Sequence, residues 1–148
     1  MASDRRAVRI VCVDGAGRIL LLRWRDPVGE RVFWEPPGGG VDEGEAPLHA
    51  ARRELYEETG LPGSPVQDVS VPVERDFYWR GKHYRKIEPF YLARFPGTPE
   101  VRPAALTPAE KDAYTGHAWL TLEQISELDA LEPAHLLDVL AELGVGPR

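Results

Sequence analysis

The chain has 148 residues, 43% of them hydrophobic and 28% charged, which is enough to bury a core without disulfides or a structural metal. Its net charge of −6 argues against a nucleic-acid polymer or an anionic membrane as the main partner. No apolar run approaches the roughly 18 residues that a membrane span needs.

One cysteine, Cys12, lies in the apolar run Ile10–Val13. It excludes an internal disulfide and reads as a buried structural thiol rather than a nucleophile. The segment from Met1 to Arg6 leads into strand-like residues rather than a signal-peptide core, so a cytoplasmic protein is expected. No repeat and no long linker divides the chain, and residues 1–148 are expected to form one domain.

Val8 to Val13 and Arg18 to Trp24 are β-rich runs separated by Asp14-Gly15-Ala16-Gly17, a hairpin signal. Val32-Phe33-Trp34 is a short strand that meets Pro36-Pro37-Gly38-Gly39-Gly40, a stretch expected to lack regular structure. A helix is predicted from Pro47 to Thr59, with proline at its first position and Gly60 and Pro62 as its stop. Val69 to Trp79 and His83 to Phe95 predict two long strands joined near Arg80-Gly81-Lys82, and Pro96 to Pro108 a loop. His117 to Leu120 predicts a last strand, and helices follow over Leu122 to Leu128 and Ala134 to Leu143. Strands around one central helix, with helices at the end, imply a mixed sheet covered on both faces, an α/β (α+β) fold.

The predicted central helix is crowded with acid. At roughly 100° per residue, Glu54, Glu57 and Glu58 share one face while Leu48, Ala51 and Leu55 form a neighbouring apolar stripe. Like charges at such spacings weaken a helix by about 0.2–0.5 kcal/mol per pair. Taken alone, the cluster reads as a solvated acidic face. The preceding loop changes that balance: three successive glycines are costly to order and let backbone come close to an ion or ligand. Carboxylates together with backbone carbonyls are the hard oxygen donors that Mg2+ or Mn2+ prefers. A divalent ion would also relieve the repulsion.

From Gly39 the string reads Gly, five residues, Glu45, seven residues, then Arg53-Glu54-Leu55-Tyr56-Glu57-Glu58-Thr59-Gly60-Leu61. It resembles the signature box of the Nudix hydrolases at every fixed position, and the flanking strand pattern is similar to that family's α/β/α sandwich with a mixed β-sheet between helices. The resemblance implies hydrolysis of a nucleoside diphosphate linked to another moiety, with Mg2+ or Mn2+ as cofactor. It implies Glu54, Glu57 and Glu58 as metal ligands, with a carbonyl of Gly38 or Gly39. It leaves Glu45 either a further ion or a bond to Arg53, and it gives Arg53 the task of orienting the glutamates. The general base varies within the family. Here Glu54 is the candidate inside the box and Glu110, expected in a loop before the last strand, the candidate outside it. Glu110 reads equally as a helix-starting glutamate.

Selectivity must come from outside the box. Phe33, Trp34, Tyr78, Trp79 and Tyr84 are the aromatics that could stack a base, each equally readable as core. Arg23, Arg25 and Arg31 could contact phosphates or stand in solvent, and neither His83 nor His117 has metal-ligand spacing. Trp34, Tyr78, Arg23 and Arg25 are the expected substrate contacts. Where family members that cleave ADP-ribose often carry a proline, this chain has Asp76. Tyr78 stands where members acting on diadenosine polyphosphates often carry a tyrosine. The expected substrate is thus a small nucleoside diphosphate derivative: a dinucleoside polyphosphate, a nucleoside triphosphate or a nucleotide sugar. A homodimer is compatible with the family resemblance. The alternative is a nucleotide-binding or regulatory module that keeps the fold without catalysis, a reading that an unbroken set of box glutamates disfavours.

Overall fold

The computed structural model describes residues 6–146; residues 1–5, which carry most of the expected N-terminal lead-in, lie outside the described residues. Strands β1 (Ala7–Val13) and β2 (Ile19–Arg25) are antiparallel and joined at the expected turn. Asp14 builds that turn. Its carboxylate accepts the backbone N–H groups of Ala16 at 3.0 Å and Arg18 at 2.8 Å, and the Arg18 Nε–H and the Thr98 hydroxyl at 2.9 Å each. Gly15 N–H donates to the Gly97 carbonyl at 2.8 Å, so the turn and a distant loop hold one another.

The two strands share the Val13↔Ile19 pair and then take different partners. β1 runs between β4 (Gly38–Gly40), antiparallel, and β6 (Lys82–Arg94), parallel. β2 runs between β3 (Val32–Glu35) and β7 (Tyr114–Leu120), both antiparallel. β6 also pairs along its length with β5 (Val66–Trp79), and this hairpin turns at Arg80 and Gly81, both at positive φ. Two positive-φ residues are what a tight two-residue hairpin requires.

Alternation along the strands sends side chains to two layers. Val8, Ile10, Cys12, Leu20 and Leu22 pack with Ala50, Ala51 and Leu55 of α1 (Pro47–Thr59). Val11, Val13, Ile19 and Leu21 pack with Ile125 of α3 (Leu122–Ser126) and with Leu136, Val139 and Leu140 of α4 (Leu136–Glu142). The fold is therefore an α/β/α sandwich around a mixed sheet. Cys12 is free and buried in the α1-side layer, where burial pushes its thiol up. Among the described residues no helix is long and apolar enough to cross a membrane.

The helix over Pro47–Thr59 has the predicted bounds, closed by Gly60 at φ 75 donating to the Tyr56 carbonyl at 2.8 Å. Two segments depart from the sequence reading. Gly38–Gly40 is not irregular but the strand β4, and the glycines explain why: a Cβ on Gly38 would lie 2.1 Å from the Val8 carbonyl oxygen. Glu110 lies not in a loop but in a short helix, α2 (Pro108–Ala113), capped by Thr107.

Burial pushes the Asp14 carboxyl up, but its bonds from Arg18, Thr98 and Ala16 outweigh this and hold it below the usual range. A depressed carboxylate contributes stability that is present above its unfolded pKa and lost as pH falls through the folded value. Asp14→Asn is expected to cost about 1–3 kcal/mol at neutral pH, read from denaturant midpoints. The gap between variant and parent should close as the solution is acidified into the carboxylate range.

Candidate active site

The acidic face of α1 lies against β4, and one arginine joins them. Arg53 sends Nε–H to Glu45 Oε2 and an NH2 hydrogen to Glu45 Oε1, each at 2.8 Å. Its NH1 donates to Glu54 Oε1 at 2.9 Å and to Glu57 Oε2 at 2.8 Å, and its NH2 also reaches the Gly40 carbonyl at 2.9 Å. Only a planar, forked donor can serve so many acceptors at once. The hydrogen bonds from Arg53 hold Glu45 well below the usual carboxylate range against the opposing effect of burial. Of the two roles left open for Glu45, the structure shows the bond to Arg53; His49 Nδ1 lies 2.8 Å from Oε2, the same oxygen that accepts the Arg53 Nε–H.

Glu54 and Glu58 lie deeper. Gly39 packs directly on the Glu54 carboxylate, where a Cβ would come within 2.3 Å of Oε2. Glu58 is 3% exposed and accepts the Gly38 N–H at 2.8 Å. Burial raises both carboxyls, with Arg53 opposing at Glu54 and Arg9 opposing at Glu58. Thus β4 gives Glu58 a backbone donor and Glu54 a surface without side chains. Among the described residues no three acidic, His or Cys side chains converge as a ready metal shell. The reason is visible in the partners: Arg53 and the Gly38 N–H hold the carboxylate oxygens where they are.

Beside these glutamates opens a cleft of about 300 Å3. It lies where β1 and β2 diverge, lined by Arg6, by Ala7 and Arg9 at the start of β1, by Trp24 of β2, and by Phe33 and Glu35 of β3. Gly38–Gly40, Glu58, Glu110 and the outer part of the β5–β6 hairpin complete it. Glu110 bonds the Thr107 N–H at 2.8 Å as a helix-capping residue and also faces the cleft, so both of its readings hold structurally.

The expected substrate contacts do not come together here. Trp34 points away from Phe33 by strand alternation and packs with the α3/α4 layer, while Arg23 lies over its ring at 5.9 Å. Arg25 pairs with Glu30 at 3.3 Å. Tyr78 is 63% exposed on the far side of the hairpin, stacked on His83 at 4.6 Å. Their neighbours Trp24, Phe33, Phe77 and Trp79 take the cleft positions instead. Choosing residues by type, without fixing which face each strand turns to the cleft, picks the strand neighbours of the residues that line it.

The sequence reading also missed a buried ionic cluster at the cleft floor. Arg9 NH1 meets Glu35 Oε1 at 3.1 Å, and Arg75 meets Glu88 Oε1 at 2.6 Å and Glu35 Oε2 at 3.3 Å. Lys86 Nζ lies 3.4 Å from Glu88 Oε2. The available signal was a charge inside an apolar strand, as at Arg9 in Ala7–Val13.

Comparison with known proteins matches the family described as the NUDIX domain over residues 3–141. An RNA pyrophosphohydrolase of Novosphingobium aromaticivorans is 31% identical over 135 residues, 84% of this chain and 81% of that protein. One of Cereibacter sphaeroides is 34% identical over 111 residues, 65% of this chain and 64% of that protein. The chain thus matches a little under two thirds of that relative's length. Among solved structures, a MutT protein of Methanosarcina mazei Go1 superposes with a TM-score of 0.68 at 22% identity, covering 97% of this chain and 94% of that one.

If Arg53 is the joint between helix and strand, Arg53→Lys is expected to destabilise the protein by about 1–3 kcal/mol, because one ammonium cannot serve three carboxylates and a carbonyl. Chemical denaturation measures this. An unchanged midpoint would mean that the joint lies elsewhere.

Proposed function

The chain belongs to the NUDIX family, and from that premise we propose that it hydrolyses the pyrophosphate bond of a nucleotide-derived substrate with Mg2+ or Mn2+ as cofactor. The observation that carries this reading is the complete glutamate face of α1, set against a side-chain-free strand at the edge of a cleft. The residues fit a divalent ion. Glu54, Glu57 and Glu58 offer hard carboxylate oxygens, Gly38 and Gly39 offer carbonyls, and the absence of a Cβ at Gly39 lets its backbone come close to the Glu54 carboxylate. A divalent ion held there would supply neutralisation of phosphate oxygens and activation of water.

The remaining tasks fall to the chain itself. Arg53 orients Glu54 and Glu57 through one guanidinium, which fixes their oxygens before substrate arrives. Gly38 N–H holds Glu58 from the opposite side. Glu54 is the acceptor for the proton of the attacking water, with Glu110 the alternative across the cleft. The attack is at phosphorus, opening the anhydride and leaving two phosphorylated products.

A binding module without catalysis would keep the cleft while losing a carboxylate or the arginine, and all four are in place. Glu58→Gln is expected to lower turnover by at least about a hundredfold while leaving the melting curve unchanged. The assay uses nucleoside triphosphates, dinucleoside polyphosphates, nucleotide sugars and 5′-triphosphorylated RNA, with products identified by mass. A chelator should stop the parent enzyme, and added Mg2+ or Mn2+ should restore it. Wild-type rates in Glu58→Gln at saturating metal would reject the assignment.

A further inference from the structure

Arg80 stands at a backbone position that its residue type does not favour. It is the first central residue of the β5–β6 turn and has φ 54, with Gly81 following at φ 78. Such a turn favours asparagine or glycine there, because a larger side chain at positive φ crowds its own backbone. Asp26, 6% exposed, holds the tip in that shape. Its Oδ2 accepts the Arg80 N–H and its Oδ1 the Val28 N–H, each at 2.9 Å. Both bonds use main-chain hydrogens, so a glycine at position 80 would keep them and relieve the crowding. What the turn gains from arginine lies in its side chain.

That side chain joins two elements that line the cleft. Its guanidinium passes over the Trp79 ring at 5.7 Å, and its NH2 donates to the Ala109 carbonyl at 3.1 Å. Ala109 precedes Glu110 in α2, a helix of six residues in which Ala113 is the buried one. Pro108, Ala109, Lys111 and Asp112 are exposed. Among the described residues, the Arg80 bond is the one hydrogen bond that ties this exposed turn to another element. The turn also carries like charge toward like. Glu110 commits Oε1 to the Thr107 N–H at 2.8 Å and lines the cleft with the rest of its carboxylate. Beyond burial, its charge is among those that raise the Glu54 and Glu58 carboxyls. Repulsion from the acidic face therefore works to move α2 away from α1, and the bond from Arg80 works against it.

We infer that Arg80 is a positioning residue: it ties α2 to the tip of the β5–β6 hairpin and so keeps the Glu110 carboxylate at the cleft, facing the glutamates of α1. A hairpin anchored at a buried aspartate is a firm post, and one guanidinium carries its firmness to a helix with little packing of its own. The inference rests on the proposed function, in which Glu110 is the alternative acceptor of the water proton, and adds the means that keeps this carboxylate within reach. It also accounts for an arginine where the turn alone would take glycine.

Arg80→Gly removes the side chain and keeps the turn. Turnover is measured with Mg2+ on whichever substrate class of the panel above the parent cleaves fastest, and amide exchange of residues 111–114 by hydrogen–deuterium mass spectrometry. The variant should melt no lower than the parent, yet exchange these amides at least about tenfold faster. Its kcat should fall about tenfold with KM held within about twofold. In a Glu110→Gln background the same substitution should change kcat by less than about twofold, because the tie then has no carboxylate to place. A merely structural role would lower stability and act equally in both backgrounds. Unchanged exchange in α2, an equal loss of kcat in both backgrounds, or Glu110→Gln turning over at the parent rate would each overturn the role of Arg80 while leaving the proposed function standing. A parent inactive on the whole panel, with α2 exchange raised in Arg80→Gly, would overturn the proposed function while supporting the tie.

Discussion

Three glutamates on one helix face repel one another, and the site depends on how that repulsion is held. Arg53 answers it from within the same helix. It spans Glu45, Glu54, Glu57 and the Gly40 carbonyl, and each hydrogen bond to a charged group is worth about 1.5–3 kcal/mol at best. Like-charge pairs on a helix cost only about 0.2–0.5 kcal/mol, so the attraction wins and the acidic face is stable as built. The same guanidinium fastens α1 to β4. Because β4 pairs with β1, the orientation of the carboxylates is tied to the sheet rather than to a loose loop.

The glycines make that attachment possible. Gly38 lies against β1 so closely that any side chain would strike the Val8 carbonyl, and Gly39 packs on the Glu54 carboxylate so closely that any side chain would strike that too. Their entropic cost is offset by a strand that supplies backbone donors and acceptors where side chains would block the site. Further along the cleft the charge changes sign. Arg9, Arg75 and Lys86 surround Glu35 and Glu88, a cluster that contributes little net stability once desolvation is counted. What it does is hold positive charge under the cleft floor. The cleft thus runs from a carboxylate end toward a cationic, aromatic end.

The helix was legible to the residue, because Pro47, the apolar stripe and Gly60 each act locally. Both layers of the sandwich followed from strand alternation. The glutamate face and the glycines against it were legible because their parts lie within one continuous stretch from Gly39 to Leu61. The cleft beside them was not, because it is assembled from β1, β2, β3 and the hairpin tip, and its composition depends on which parity of each strand faces inward. Trp34 and Tyr78 lie on the opposite parity from Phe33 and Trp79, the residues that line the cleft. β4 escaped notice because three glycines carry no pattern. It is a strand only because β1 offers it an edge. Glu35, Arg75 and Glu88 escaped because charges in a strand look solvated until register brings them together.

The central claim is that this arrangement directs water to phosphorus in a phosphoanhydride. Its most direct test is hydrolysis in 18O-labelled water with Mg2+ or Mn2+, with each product analysed by mass spectrometry. The account predicts one labelled oxygen on a phosphate group of one product and no label on the other, with labelled product accumulating at least about a hundredfold more slowly with Glu58→Gln. Products without label, or label that persists in the variant at the parent rate, would contradict it.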